Sequence, residues 1–127
     1  MWHEINSEFG RAGGVYILKC LQNNNSLPIP VSRFLSNDEQ GILYIGKTNS
    51  FIDRIAELKK SILPDYSSGS HECGSRYKAN KMIQERYPCD NLIVELVSSE
   101  SPREKEANLL KEYECRFGEL PPLNRNT

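Results

Sequence analysis

Residues 41–54 read Gly41-Ile42-Leu43-Tyr44-Ile45-Gly46-Lys47-Thr48-Asn49-Ser50-Phe51-Ile52-Asp53-Arg54, and the period of the apolar positions changes partway along. Ile42 to Ile45 are aliphatic, β-branched or aromatic, which is the chemistry of a packed strand. From Ser50 onward the pattern turns helical. Ser50 and Asp53 have the S-x-x-D form of a capping box. Ile52, Ile55, Leu58 and Ile62 then recur at helical spacing as a buried stripe, and Pro64 stops the helix after about Ile62.

Upstream, Gly14-Val15-Tyr16-Ile17-Leu18-Lys19-Cys20 reads as another strand. Between the two, residues 21–40 carry an asparagine triplet, two prolines and Asn37-Asp38, the chemistry of an inserted loop. Two strands joined this way most simply form an antiparallel pair. Downstream, Ser67-Ser68-Gly69-Ser70 is loop, and a second helix is expected over Ser75–Tyr87 with Ala79, Met82 and Ile83 facing inward. Asn91 to Val97 gives a third strand. Ser101-Pro102-Arg103-Glu104 joins an N-cap serine, a proline at the first helical position and a glutamate three after the cap. That helix should reach Arg116 or Phe117 and stop at Gly118. Pro121-Pro122-Leu123-Asn124 must run extended. The reading is an α+β domain, a small three-stranded antiparallel sheet flanked by helices in the order β-β-α-α-β-α, spanning 1–127 as one domain with an insertion at about 21–40.

Composition agrees with a globular chain. It has 127 residues, 38% hydrophobic and 26% charged, with 17 acidic against 16 basic side chains. Disordered and collagen-like classes are excluded, and no run approaches the roughly 18 apolar residues of a membrane span. The first residues show no basic start with an apolar stretch, so the expected location is cytoplasmic. A net charge of −1 argues against a purely electrostatic nucleic-acid coat. Between Tyr44 and Tyr87, however, eight basic residues face five acidic ones. Cys20, Cys73, Cys89 and Cys115 are scattered without zinc-site spacing and are read as reduced thiols.

On a helical wheel Glu106 shares a face with Leu109, Leu110, Tyr113 and Phe117. A carboxylate there is either at the rim of the core or held for a purpose, and a single hard carboxylate suits Mg²⁺. Tyr16 and Tyr44 lie on the first two strands. Lys47 follows Gly46 at a strand end, and Arg54 is the lone long cation of the first two turns of its helix.

Together these residues resemble the GIY-YIG endonuclease superfamily. Gly14-Val15-Tyr16 stands for the first motif, with Val for the usual Ile, and Tyr44-Ile45-Gly46 matches the second letter for letter. Arg54 stands eight residues after Gly46. Lys105-Glu106-Ala107-Asn108-Leu109-Leu110-Lys111 resembles the glutamate helix of the family, above all that of the nucleotide-excision-repair incision subunit. Asn124 matches the terminal asparagine. The resemblance runs from residue 13 to 124.

What the resemblance implies is a DNA endonuclease, of mobile-element, restriction or repair type, that hydrolyses phosphodiester bonds with one Mg²⁺ or Mn²⁺. Glu106 would anchor the metal and Arg54 the scissile phosphate. Tyr16 would act as general base, helped by Tyr44, with Lys47 as the cation favouring its phenolate. Asn124 would fix the tail. Lys47, Lys59, Lys60, Arg76, Lys78 and Lys81 would contact DNA phosphates. The chain departs from the family at two places. Tyr16 and Tyr44 are separated by 27 residues, which is expected to set the insertion near the active face. Leu58 stands where many members carry His or Tyr, and His71 is the candidate to replace it in space. One site per chain would need two copies to break both strands, so a homodimer or a partner protein enters as an expectation for targeting. The competing reading is a catalytically weak nucleic-acid-binding or interaction module that keeps the fold.

Overall fold

The computed structural model describes residues 12–23, 26–62 and 72–124. Among them are the strands β1 (Gly14–Cys20), β2 (Val31–Ser32), β3 (Asn37–Asp38), β4 (Ile42–Thr48) and β5 (Leu92–Ser98). The helices are α1 (Phe51–Ile62), α2 (Glu72–Ala79), α3 (Lys81–Arg86) and α4 (Pro102–Phe117). Three strands make one antiparallel sheet in the order β4-β1-β5. The expected α+β class and its main elements are present.

β1 is central, and alternation sorts its side chains to two cores. Tyr16, Leu18 and Cys20 pack with Phe51, Ile55, Leu58 and Ile62 of α1 and with Cys73 and Tyr77 of α2. Val15 and Ile17 face the opposite way, toward Leu110, Tyr113 and Phe117 of α4. A strand covered on both faces reads as a nearly unbroken apolar run, as β1 does. Its one charge, Lys19, is buried and pairs with Glu95 of β5 at 2.9 Å. In β4 the register with β1 shifts, Leu18 opposing Tyr44 and Lys19 opposing Ile42. Leu43 is the extra residue of this bulge, so Leu43 and Tyr44 both pack on the α1 side.

Three helical expectations are corrected. In α1 the buried stripe is Phe51, Ile55, Leu58 and Ile62, and Ile52 is 41% exposed. Position 51 lies four before 55 and therefore on its face, whereas 52 is turned about 100° further round. The single helix expected over Ser75–Tyr87 is two. Asn80 breaks it by accepting from the Met82 and Ile83 N–H groups as the N-cap of α3. The inward residues are accordingly Cys73 and Tyr77, with Ala79 exposed, Met82 79% exposed and only Ile83 packing on the core. At α4, Ser101 is the N-cap but its side chain makes no cap hydrogen bond. Its N–H is instead held by the Ser99 hydroxyl at 3.1 Å. The other end is as read, with Gly118 in the left-handed conformation at φ 82°.

The insertion is built rather than loose, and it docks away from the expected face. Its β2–β3 hairpin is stapled to the C-terminal end of α4. Leu35 N–H donates to the Phe117 carbonyl at 3.0 Å, and Phe34 N–H to the Glu119 carboxylate at 2.8 Å. Arg33 reaches the Leu120 carbonyl at 2.9 Å and pairs with Glu119 at 3.1 Å. Glu106 lies near the other end of α4, about 16 Å along the helix from Phe117 at 1.5 Å per residue. The bonds that hold the insertion belong to residues remote in sequence, which no local pattern reveals.

The tail completes the outer edge of β4. Leu123 N–H donates to the Leu43 carbonyl at 2.9 Å. The Asn124 side chain accepts from Ile45 N–H and donates to Ile45 C=O, both at 3.0 Å. A primary amide is suited to this task because it presents one acceptor and one donor side by side. No described helix is long and apolar enough to cross a membrane. Replacing Asn124 with Ala leaves both Ile45 groups without their partner. We expect a loss of about 1–2 kcal/mol, read as a lowered urea midpoint with unchanged slope.

Candidate active site

Tyr16, in the middle of β1, stands directly across from Gly46 of β4. A Cβ at Gly46 would lie 2.4 Å from the Tyr16 ring carbon Cζ, 2.5 Å from its hydroxyl and 2.7 Å from Tyr44 Cε2. The ring of Tyr16 thus fills the space a side chain at residue 46 would need. Glycine is required there for room. Tyr44, two residues back on the same face of β4, meets Tyr16 with ring centroids 5.9 Å apart and planes at 42°, a tilted aromatic pair.

Tyr16 is almost fully buried, so its hydroxyl must find polar partners within the protein. Arg54, one helical turn into α1, donates from Nε to that hydroxyl at 3.3 Å. The two hydroxyls are also hydrogen-bonded to each other. Burial pushes the Tyr16 phenol above its ordinary value near 10, and the Arg54 and Tyr44 hydrogen bonds pull it back only in part. Tyr44 is pushed much further up, by burial first and then by Tyr16, Cys73 and Glu106. Both phenols thus favour their protonated form, and the Arg54 guanidinium opposes this at Tyr16.

Lys47 does not reach this pair. It stands across from Val15, so alternation turns it to the α4 side, where its ammonium meets the Glu106 carboxylate at 3.6 Å. The cation beside Tyr16 is Arg54, and the expectation for Lys47 is corrected on that point. Glu106 sits at the core rim as the wheel implied, with 19% of its side chain exposed. Its negative charge is the smallest of the influences that push the Tyr44 phenol up. Beside this ion pair lies a cleft of about 770 Å³ between the end of β4 and the start of α4, lined by Lys47, Thr48, Asn49, Pro102 and Arg103 among others. Thr48 shapes its wall, its hydroxyl holding both the N–H and the carbonyl of Ser50.

The remaining candidates divide. Both ends of the Asn124 amide are taken by Ile45, one residue from Gly46. Leu58 is fully buried core, and His71 lies outside the described residues. Lys60, Lys78 and Lys81 are exposed, whereas Lys59 and Arg76 are half-buried. Arg76 differs from the lysines in acting on a buried group. Its charge and that of Arg54 both act on the Cys73 thiol, which burial nevertheless pushes up to about 12. Cys73 in turn acts on both tyrosines. Sequence reasoning missed this buried sulfur, although Cys73 and Tyr77 have the four-residue spacing of a buried helix face.

Among the described residues no group of three His, Cys, Asp or Glu side chains could hold a metal ion. Glu106 alone is a fit for a hydrated Mg²⁺, which takes one or two protein carboxylates when water and phosphate supply the rest. No protein-family model, curated protein or solved structure matches the chain. The decisive contact is the one over residue 46. Gly46→Ala, which would stabilise an ordinary strand by roughly 0.5–1 kcal/mol, should here destabilise by about 1–3 kcal/mol. Denaturant unfolding decides on the sign.

Proposed function

We propose that the chain is a divalent-metal-dependent endonuclease that hydrolyses phosphodiester bonds in DNA, as its resemblance to the GIY-YIG superfamily implies. The observation that carries this reading is the cluster over Gly46. Tyr16, Tyr44 and Arg54 share one hydrogen-bonded group, and Glu106 stands across β4 on the α4 side, paired with Lys47. Three residues remote in sequence, of types suited to phosphoryl hydrolysis, meet over Gly46.

A Mg²⁺ or Mn²⁺ at Glu106 would supply Lewis-acid stabilisation of the phosphate oxygens. The protein's own groups do the rest. Arg54 holds the scissile phosphate, its guanidinium fork suiting that task better than an ammonium. Tyr16 accepts a proton from the attacking water, and Tyr44 donates to the phenolate oxygen that must form. Lys47 exchanges Glu106 for a phosphate oxygen at the mouth of the cleft. Lys59, Lys60, Arg76, Lys78 and Lys81 attract the DNA backbone. Mobile-element, restriction and repair roles all remain compatible with this chemistry.

One observation favours the competing reading of a catalytically weak binding or interaction module. The single carboxylate already has a cationic partner in Lys47. Cleavage of supercoiled plasmid separates the two. With Mg²⁺ or Mn²⁺ present, nicked or linear DNA should appear, and Glu106→Ala should abolish it while DNA binding persists. Binding without any cleavage by the wild-type chain would establish the module.

The base assignment makes a further demand. Tyr16→Phe should lower the rate by roughly 10²–10⁴. Because Tyr16 titrates above its ordinary value near 10, its ionised fraction rises about tenfold per pH unit throughout the neutral range. The cleavage rate should climb with that slope from pH 7 to 9, measured under single-turnover conditions. A pH-independent rate would remove Tyr16 from the role of base.

A further inference from the structure

On the α4 face of the sheet, beneath the C-terminal half of α4, lies a cavity of about 390 Å³. Strands β1 and β4, helix α4 and the insertion each supply part of its wall. Ile17, Ile42 and Leu109 make an apolar floor, and Asp38, Glu39, Glu112 and Arg116 stand on the polar side. Three carboxylates thus face one guanidinium. That guanidinium is laid over the Phe117 ring, 5.3 Å from its centroid. The volume is that of a small-molecule pocket, and the chemistry proposed for the cluster over Gly46 does not use it.

Two groups in this wall are incompletely matched. Asp38 is 1% exposed. Its two oxygens accept from the N–H groups of Gln40 at 2.9 Å and Ile42 at 3.0 Å. Among the described residues no cation forms an ion pair with it, and Arg33 is committed to Glu119 at 3.1 Å. An aspartate is almost never so fully buried unless its charge is paired. Beside it stands Tyr113, 5% exposed. Burial and the Asp38 carboxylate push the Tyr113 phenol up. The contact nevertheless falls short of hydrogen-bond geometry, and the buried hydroxyl has no partner among the described residues. A buried polar group left so is destabilising. One kind of ligand group answers both needs, a positively charged N–H donor.

We propose that this cavity binds a small organic ammonium ion, its head between Asp38 and Tyr113 and its apolar body on Ile17, Ile42 and Leu109. An ammonium group has three N–H donors. A carboxylate has lone pairs beyond the two that the backbone occupies, and a phenol oxygen accepts as well as donates. Glu39 and Glu112 on the same wall attract a cation and repel an anion. Among the described residues no group of three His, Cys, Asp or Glu side chains could hold a metal ion. The cation that fits is therefore one that brings apolar surface of its own to the floor.

Benzylammonium is the probe, with benzyl alcohol as its neutral counterpart and phenylacetate as an anionic one. Each is titrated into the full chain at constant ionic strength and followed by the amide signals in NMR. Benzylammonium should bind about ten- to a hundredfold more tightly than benzyl alcohol, moving the signals of Gln40, Ile42 and Tyr113, and phenylacetate should not bind. Equal affinity for benzylammonium and benzyl alcohol, or signals that move only elsewhere, would overturn the proposal. Tyr113→Phe removes the hydroxyl that has no partner. It should leave the thermal midpoint of the free chain unchanged or raised, and weaken benzylammonium by roughly tenfold. A lowered midpoint with unchanged affinity would assign that hydroxyl to the fold and count against the site. Asp38→Asn keeps an acceptor for the turn and removes the charge, so the preference for the cation should vanish. If that variant does not fold, Glu112→Lys at an exposed position of α4 decides. It should weaken benzylammonium and spare benzyl alcohol, and an unchanged preference would refute the proposal.

Discussion

The structure turns on the close approach of Tyr16 to Gly46. A phenol ring laid over a neighbouring strand is compatible with one residue type beneath it, so the pairing of β1 with β4 has to be held in a single register. A slip of one residue would set Ile45 or Lys47 under the ring and turn every side chain of β4 to the wrong core. Two features oppose that slip. The bulge at Leu43 gives both Ile42 and Ile45 a buried place against α4, and the amide of Asn124 clasps the backbone of Ile45 immediately beside the glycine. The last described residue of the chain thereby fixes the position of the first tyrosine.

Burial of the two phenols has an electrostatic consequence. Desolvation is the largest influence on each, and it favours the protonated form. Arg54 opposes it at Tyr16 alone. Two residues with the same side chain therefore differ in surroundings, a guanidinium beside one phenol and none beside the other. Nothing in either side chain distinguishes them; the placement of α1 does. Cys73 belongs to the same low-dielectric pocket, where Arg54 and Arg76 are the charges that lower its titration against a larger burial effect.

Much of this was legible in the sequence, and the remainder was hidden for identifiable reasons. The three long strands and α4 follow from runs with a clear period, and the wheel alone set Glu106 at the rim of the apolar face. Phe51 and Ile52 are adjacent apolar residues, and a stripe through 55, 58 and 62 accepts either as its first member. The break at Asn80 depends on a side chain turning back to cap the next helix, which competes with helix continuation by a small energy difference. Lys47 was readable from alternation, since it is two residues beyond Ile45 and must share its face. The Arg54–Tyr16 contact and the docking of the insertion on α4 are meetings across many residues, and local pattern carries no information about them.

The ion pair between Lys47 and Glu106 bears most directly on the proposed chemistry. At 3.6 Å, with the lysine about half exposed, it is a weak bond that a competing ligand can replace at small cost. A lone carboxylate gives a divalent ion little on its own, whereas a phosphate in the adjacent cleft would supply both further oxygens for the ion and a new partner for the lysine. Metal and phosphate would each make the other's binding more favourable, and by linkage the two effects must be equal. On this reading, the cleft between β4 and α4 assembles its charges only around a substrate, and the Lys47–Glu106 pair keeps both groups compensated until then.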